Sequence, residues 1–130
     1  MSKLESDKVL LQKPASEVYA YVSNLNNFGK LMPSQVVNYT STENECTFTI
    51  QGMATLNLRF EGNALDKAIH LVPVGKAPFD FILSCLLNDS AQGCEAQMVM
   101  DADLNPFMKM MAEKPLTNFL NLLASKLKAL

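Results

Sequence analysis

Pro14-Ala15-Ser16-Glu17-Val18-Tyr19-Ala20-Tyr21-Val22-Ser23-Asn24-Leu25-Asn26-Asn27-Phe28-Gly29-Lys30-Leu31-Met32-Pro33 is the stretch that decides the fold. Val18, Tyr21, Val22 and Leu25 recur at helical spacing, and Glu17 stands in the first turn, where the helix dipole favours a carboxylate. Pro14 suits a helix start. Pro33 pushes Met32 into an extended conformation and stops the helical run. The spacing therefore predicts an amphipathic helix, a break, a second short helix and a hard stop.

Strands are expected on both sides of this elbow. Upstream, Ser2 to Lys13 ends in Val9-Leu10-Leu11 and reads as one opening strand. Downstream, Gln35 to Ser41 is rich in β-branched and aromatic residues, and Thr42-Glu43-Asn44 makes a turn. Cys46, Phe48 and Ile50 alternate with Thr47, Thr49 and Gln51 until Gly52 breaks the run. Ala54, Leu56, Leu58 and Phe60 then alternate with Thr55, Asn57, Arg59 and Glu61, and Gly62-Asn63 reads as a hairpin turn. Leu65 to Val72 carries apolar residues on both faces, which leaves its parity open. A loop punctuated by Pro73, Gly75 and Pro78 follows. Phe79, Phe81, Leu83, Cys85 and Leu87 share one face of a sixth strand, Asn88 to Gly93 reads as a turn, and Cys94, Ala96, Met98 and Met100 line a seventh. Short strands joined by such turns imply an antiparallel meander with one buried face.

From Asn105 the period changes to that of a helix. Met108, Met111, Ala112, Leu116, Phe119, Leu120, Leu123, Leu127 and Leu130 form one stripe, with Asn105 as N-cap and Pro106 as first helical residue. Pro115 lies inside the pattern and predicts a kink near Met111, whose carbonyl loses its usual donor.

Bulk properties narrow the class. A chain of 130 residues, 48% hydrophobic and 18% charged, is expected to form a single domain over 1–130 with a real core. A net charge of −2, with scattered lysines and no tryptophan, gives no footprint for nucleic acid. The apolar run from Phe79 to Leu87 is interrupted by Asp80 and Ser84 and is far too short to span a bilayer. No signal peptide is visible, and three irregularly spaced cysteines suit reduced thiols, so a cytoplasmic location is expected.

The order β–α–α–β–β–β–β–β–β–α resembles the START-like helix-grip superfamily, also called SRPBCC, and within it the bacterial polyketide cyclase/dehydrase-like and START-like groups. The residues that carry the resemblance are the elbow (Glu17, Tyr19, Phe28 and Pro33 above all), the meander from Gln35 to Leu104, and the helix that starts at Asn105-Pro106. It implies an α+β fold: a curved antiparallel sheet of about seven strands around a long C-terminal helix. It also implies a cavity between sheet and helix for a hydrophobic ligand such as a lipid, quinone or polyketide. Some members of the superfamily are enzymes, and others bind protein partners.

Two readings fit the methionines Met98, Met100, Met108, Met110 and Met111. They could pack a closed core, or line a cavity that accepts an apolar ligand of imprecise shape. The resemblance favours the cavity wall, with Met98, Met100, Met108 and Met111 as candidate lining. Phe48, Leu58, Phe60, Phe79, Phe81, Leu83 and Phe119 would supply the remainder.

Residues able to do chemistry are sparse. His70 is the sole histidine, and Asp66, four residues along the same strand, is about 13 Å away, too far for a direct hydrogen bond. Asp101 and Asp103 are about 7 Å apart if on one strand face, wide for sharing a proton. Arg59 is expected on the solvated face, with anchoring of a ligand carboxylate as the alternative. Cys46, Cys85 and Cys94 fall on apolar faces and show no metal-ligand spacing, so neither a metal nor another cofactor is expected. Binding or carriage of a small hydrophobic molecule is the leading expectation. The alternatives are a cyclase or dehydratase using His70, Asp101 or Tyr39, and an interaction module. Ile82, Leu86 and Val99 would present an outward apolar patch suited to a homodimer.

Overall fold

The computed structural model describes residues 2–63, 65, 67–75, 77 and 79–130. Among the described residues eight strands form one antiparallel sheet: β1 (Ser2–Glu5), β2 (Val9–Leu11), β3 (Val36–Ser41), β4 (Glu45–Ile50), β5 (Ala54–Asn63), β6 (Ala68–Pro73), β7 (Phe81–Ser90) and β8 (Gly93–Ala102). Their order is β1-β8-β7-β6-β5-β4-β3, with β2 also on β8. Helices α1 (Ala15–Val22) and α2 (Leu25–Phe28), with a 3₁₀ turn at Gly29–Leu31, form the elbow, and α3 (Pro106–Lys128) is the long terminal helix. The helix-grip architecture read from the sequence is the observed one.

The opening strand is two strands, which is why the sheet has eight and not seven. Glu5 faces Val99 and Val9 faces Ala96, so four steps on one side match three on the other. Buried Ser6 occupies this bulge. Its N–H donates to the Met98 carbonyl, and its Oγ accepts the Met98 N–H, both at 2.9 Å. A second bulge interrupts β3: Val37 faces Thr49, but Thr40 faces Thr47. The extra residue is accommodated at Asn38, in the left-handed region at φ 57°. It turns Tyr39 to the inner face, where its ring stacks on Phe48 at 5.8 Å.

Two turn expectations and one strand boundary are corrected. Gly62 and Asn63 are not a hairpin turn but the end of β5, facing Ile69 and Ala68. A side chain at Gly62 would collide with the Phe60 ring and the Tyr19 hydroxyl, so close packing and not turn geometry demands glycine. Asn88 to Ser90 continue β7, which leaves Ala91-Gln92 as a two-residue loop before Gly93 at φ 147°. Phe79 precedes β7 and is not part of it, although its ring still lies 5.4 Å from that of Phe81. Asp66 and Pro78 lie outside the described residues.

The core lies between the inner face of the sheet and the helices. Cys46, Phe48, Ile50, Leu58, Ile69, Leu71, Leu83, Met98 and Met100 meet Val18, Val22, Leu25 and Phe28 of the elbow and Leu116 to Leu127 of α3. The elbow ends as its sequence demands, with Met32 extended at ψ 132° before Pro33.

Candidate functional site

Helix α3 is capped as expected, the Asn105 side chain accepting the Met108 N–H at 2.8 Å. Its two halves differ. Beyond Pro115, Leu116, Phe119, Leu120, Leu123, Ala124 and Leu127 are buried. Before it, Phe107 is 67% exposed, Met110 81% and Met111 65%, although the apolar stripe continues. The first half of α3 thus overhangs the open end of the sheet, where the β4–β5 turn, the segment before β7 and the start of α3 converge.

Two adjoining grooves of about 300 Å³ each open there. One is apolar, formed by Met53 and Ala54, by Phe79, and by Phe107, Met108, Met111 and Ala112 of α3. The other has Ile50 and Phe119 in its wall and Gln35, Gln51, Lys114 and Asn118 around it. Met53 and Pro115 belong to both. A depression of about 330 Å³ over the β3–β4 hairpin is lined by Thr40 to Thr42 and Glu45 to Thr47, and lacks an apolar wall of this kind.

The sequence candidates divide between these grooves and the packed core. Phe79, Met108 and Met111 line the apolar groove, and Phe119 lines its neighbour. Phe48, Leu58, Phe81, Leu83, Met98 and Met100 are buried in the core between sheet and helix. Phe60 is half-buried against that core, its ring beside Gly62. Sequence reading overlooked Met53, Phe107, Gln35, Gln51, Lys114, Pro115 and Asn118. A methionine directly after a turn glycine and a phenylalanine directly after a helix-starting proline were available signals, since apolar residues at such positions are seldom covered by their own element.

The residues considered for catalysis are elsewhere. His70 faces outward beside Glu61 of β5, and its Nδ1 shares a 2.7 Å hydrogen bond with Ser84 Oγ. Asp101 lies between Lys3 and Ile82 on the same outer face, and Asp103 is exposed beyond β8. Arg59 pairs with Glu61 at 3.2 Å in solvent. The Tyr39 hydroxyl donates to the Leu25 carbonyl at 2.7 Å, fastening β3 to α2. Burial, reinforced by neighbouring Cys46, holds Tyr39 well above its ordinary value near 10.

All three thiols are buried. Burial pushes Cys46 up to about 11, with its hydrogen bond to Tyr39 pulling the other way. Burial and then Cys94 push Cys85 up to about 12, and burial and then Asp89 raise Cys94. Protonated thiols of this kind are poor nucleophiles at neutral pH. Among the described residues no cluster of three or more His, Cys, Asp or Glu could hold a metal ion, and no helix is long and apolar enough to cross a membrane. On the outer face Val99 is buried opposite Ser84, with Ile82 and Leu86 diagonal to it; Ile82 is exposed and Leu86 half-buried.

No family model matches the sequence, and no curated protein matches it. Solved structures do match. The chain is similar to the KanY protein solved by NMR, with a TM-score of 0.80 at 12% identity over 99% of this chain and 97% of that one. It is similar to a START superfamily protein from Mycobacterium smegmatis, with a TM-score of 0.74 at 14% identity over 98% and 94% of the two chains. It also matches the di-domain ARO/CYC BexL from the BE-7585A biosynthetic pathway, with a TM-score of 0.76 at 18% identity over 99% of this chain. The chain spans 46%, about half, of the length of that two-domain protein.

Proposed function

From the START-like helix-grip fold, we propose that this protein binds or carries a small hydrophobic ligand, taken up in the grooves beneath the first half of α3. The observation that carries this reading is the overhang: Phe107 and Met111 surround a groove walled by Met53 and Phe79 in place of packed core. Adaptable methionines and aromatic rings suit an apolar guest of imprecise shape. Each 100 Å² of apolar ligand surface removed from water would contribute about 2.5 kcal/mol before ordering costs. The outward placement of His70 and the burial of the thiols favour carriage over a reaction. Buried free thiols also suit a reducing compartment, and we place the protein's action in the cytoplasm, as one START-like domain over 1–130.

The test is titration with a neutral apolar dye such as Nile red. Met111→Asp puts a carboxylate in the groove, and Leu10→Asp puts one at an exposed position on β2. We expect dye affinity to fall about tenfold or more in the first and to hold in the second. Equal affinity for folded Met111→Asp and the parent would remove this site.

A further inference from the structure

The two grooves differ in chemistry at their ends. The apolar groove has Phe79, Phe107, Met108 and Met111 along it; its neighbour carries the amides of Gln35, Gln51 and Asn118 together with Lys114. Among the described residues lining either groove, Lys114 alone carries a charge. These four polar residues are exposed, and their side chains make no hydrogen bond or ion pair among the described residues. Lys114 and Asn118 are four apart on α3 and so share a face, whereas Glu113 is turned about 100° from Lys114 around the helix. Met53 and Pro115, shared by both grooves, join the apolar and the polar ends.

Resting on the reading that these grooves take an apolar guest, we infer that the guest is a single-chain anionic amphiphile. Its apolar chain lies along Met111 and Phe79, and its carboxylate or phosphate head meets Lys114 and the neighbouring amides. An ammonium offers three donors and no acceptor, which suits an anionic head and excludes a cationic one. The amides can complete the shell of hydrogen bonds that a bound anion requires.

Isothermal titration with dodecanoate, dodecyl phosphate, dodecanol and dodecyltrimethylammonium, below their aggregation concentrations, tests this. At least one of the two anions should bind about tenfold or more tightly than dodecanol, and the stronger of them identifies the head group. The preference should shrink with added salt, disappear in Lys114→Gln without change in dodecanol affinity, and persist in Lys114→Arg. If dodecanol or the ammonium binds as tightly as both anions, while Met111→Asp still weakens it, the head-group inference fails and the apolar site stands. If no chain binds at all, both fail together.

Discussion

The Asp89 carboxylate, near the end of β7, accepts the backbone N–H of Ala15, the first residue of α1, at 2.9 Å across 74 positions of sequence. Pro14, the N-cap of α1, supplies no side-chain acceptor, so a residue from the distant meander caps the elbow. Asp89→Ala should lower stability by about 1 kcal/mol, and Asp89→Asn, which keeps an acceptor, by less. Urea denaturation of the two variants decides it, and equal losses would mean that the capping bond contributes nothing.

The two halves of α3 should respond differently to truncation. Leu123 is fully buried, and Leu123→Ala should cost about 2–5 kcal/mol. Met110 projects into solvent, and Met110→Ala should change stability by about 0.5 kcal/mol or less. A large loss at Met110 would show that the first half packs more tightly than its exposure indicates.

Pro115 interrupts the hydrogen-bond ladder of an otherwise continuous helix. Pro115→Ala should restore the bond to the Met111 carbonyl. The gain should be about 2 kcal/mol, since the helix-interior cost of proline is partly offset by its stiffening of the unfolded chain. The same variant should slow amide exchange over 111–116. Unchanged exchange would place the weak point of the helix elsewhere.

Alkali should destabilise the protein. Tyr39, Cys46, Cys85 and Cys94 all hold their protons more tightly when folded than their ordinary values imply. Their contribution is therefore complete below about pH 8.5, where the unfolded thiols are still protonated. It declines as pH rises, because the unfolded chain releases protons that the native state keeps. Urea midpoints should fall between neutral pH and about pH 10.5, and less steeply in Cys85→Ala. The native thiols should likewise react with a disulfide reagent only as fast as the chain opens. A flat profile would contradict the burial of these groups.

The fold was legible wherever period and punctuation agreed. Proline at 14 and 33, alternation through Cys46–Ile50 and Ala54–Phe60, and the Asn105-Pro106 start of α3 each state a local rule that the packing obeys. The misread places are those where a distant neighbour decides. Gly62 looks like a turn residue but is small because Phe60 and Tyr19 occupy the space of a side chain. Asn88 to Ser90 have loop composition, yet Asp89 serves the elbow from within a strand. The candidate site was partly legible, through Phe79, Met108, Met111 and Phe119. The apolar stripe of α3 runs the same from Met108 to Leu127, and nothing in it reveals that the sheet fails to reach under the first half. Gln35, Gln51 and Lys114 are ordinary surface residues until the turn after β4 and the helix are brought together.

The bulge at Asn38 works as a parity switch for the strand around it. Because side chains alternate with a period of two, one supernumerary residue inverts the facing of everything on one side of it. With Asn38 in a regular extended conformation, strict alternation from Val37 would put Asn38 opposite Phe48 and send Tyr39 outward, away from the Phe48 ring and the Leu25 carbonyl. One left-handed residue thus separates a strand that grips the elbow from one that turns its back on it.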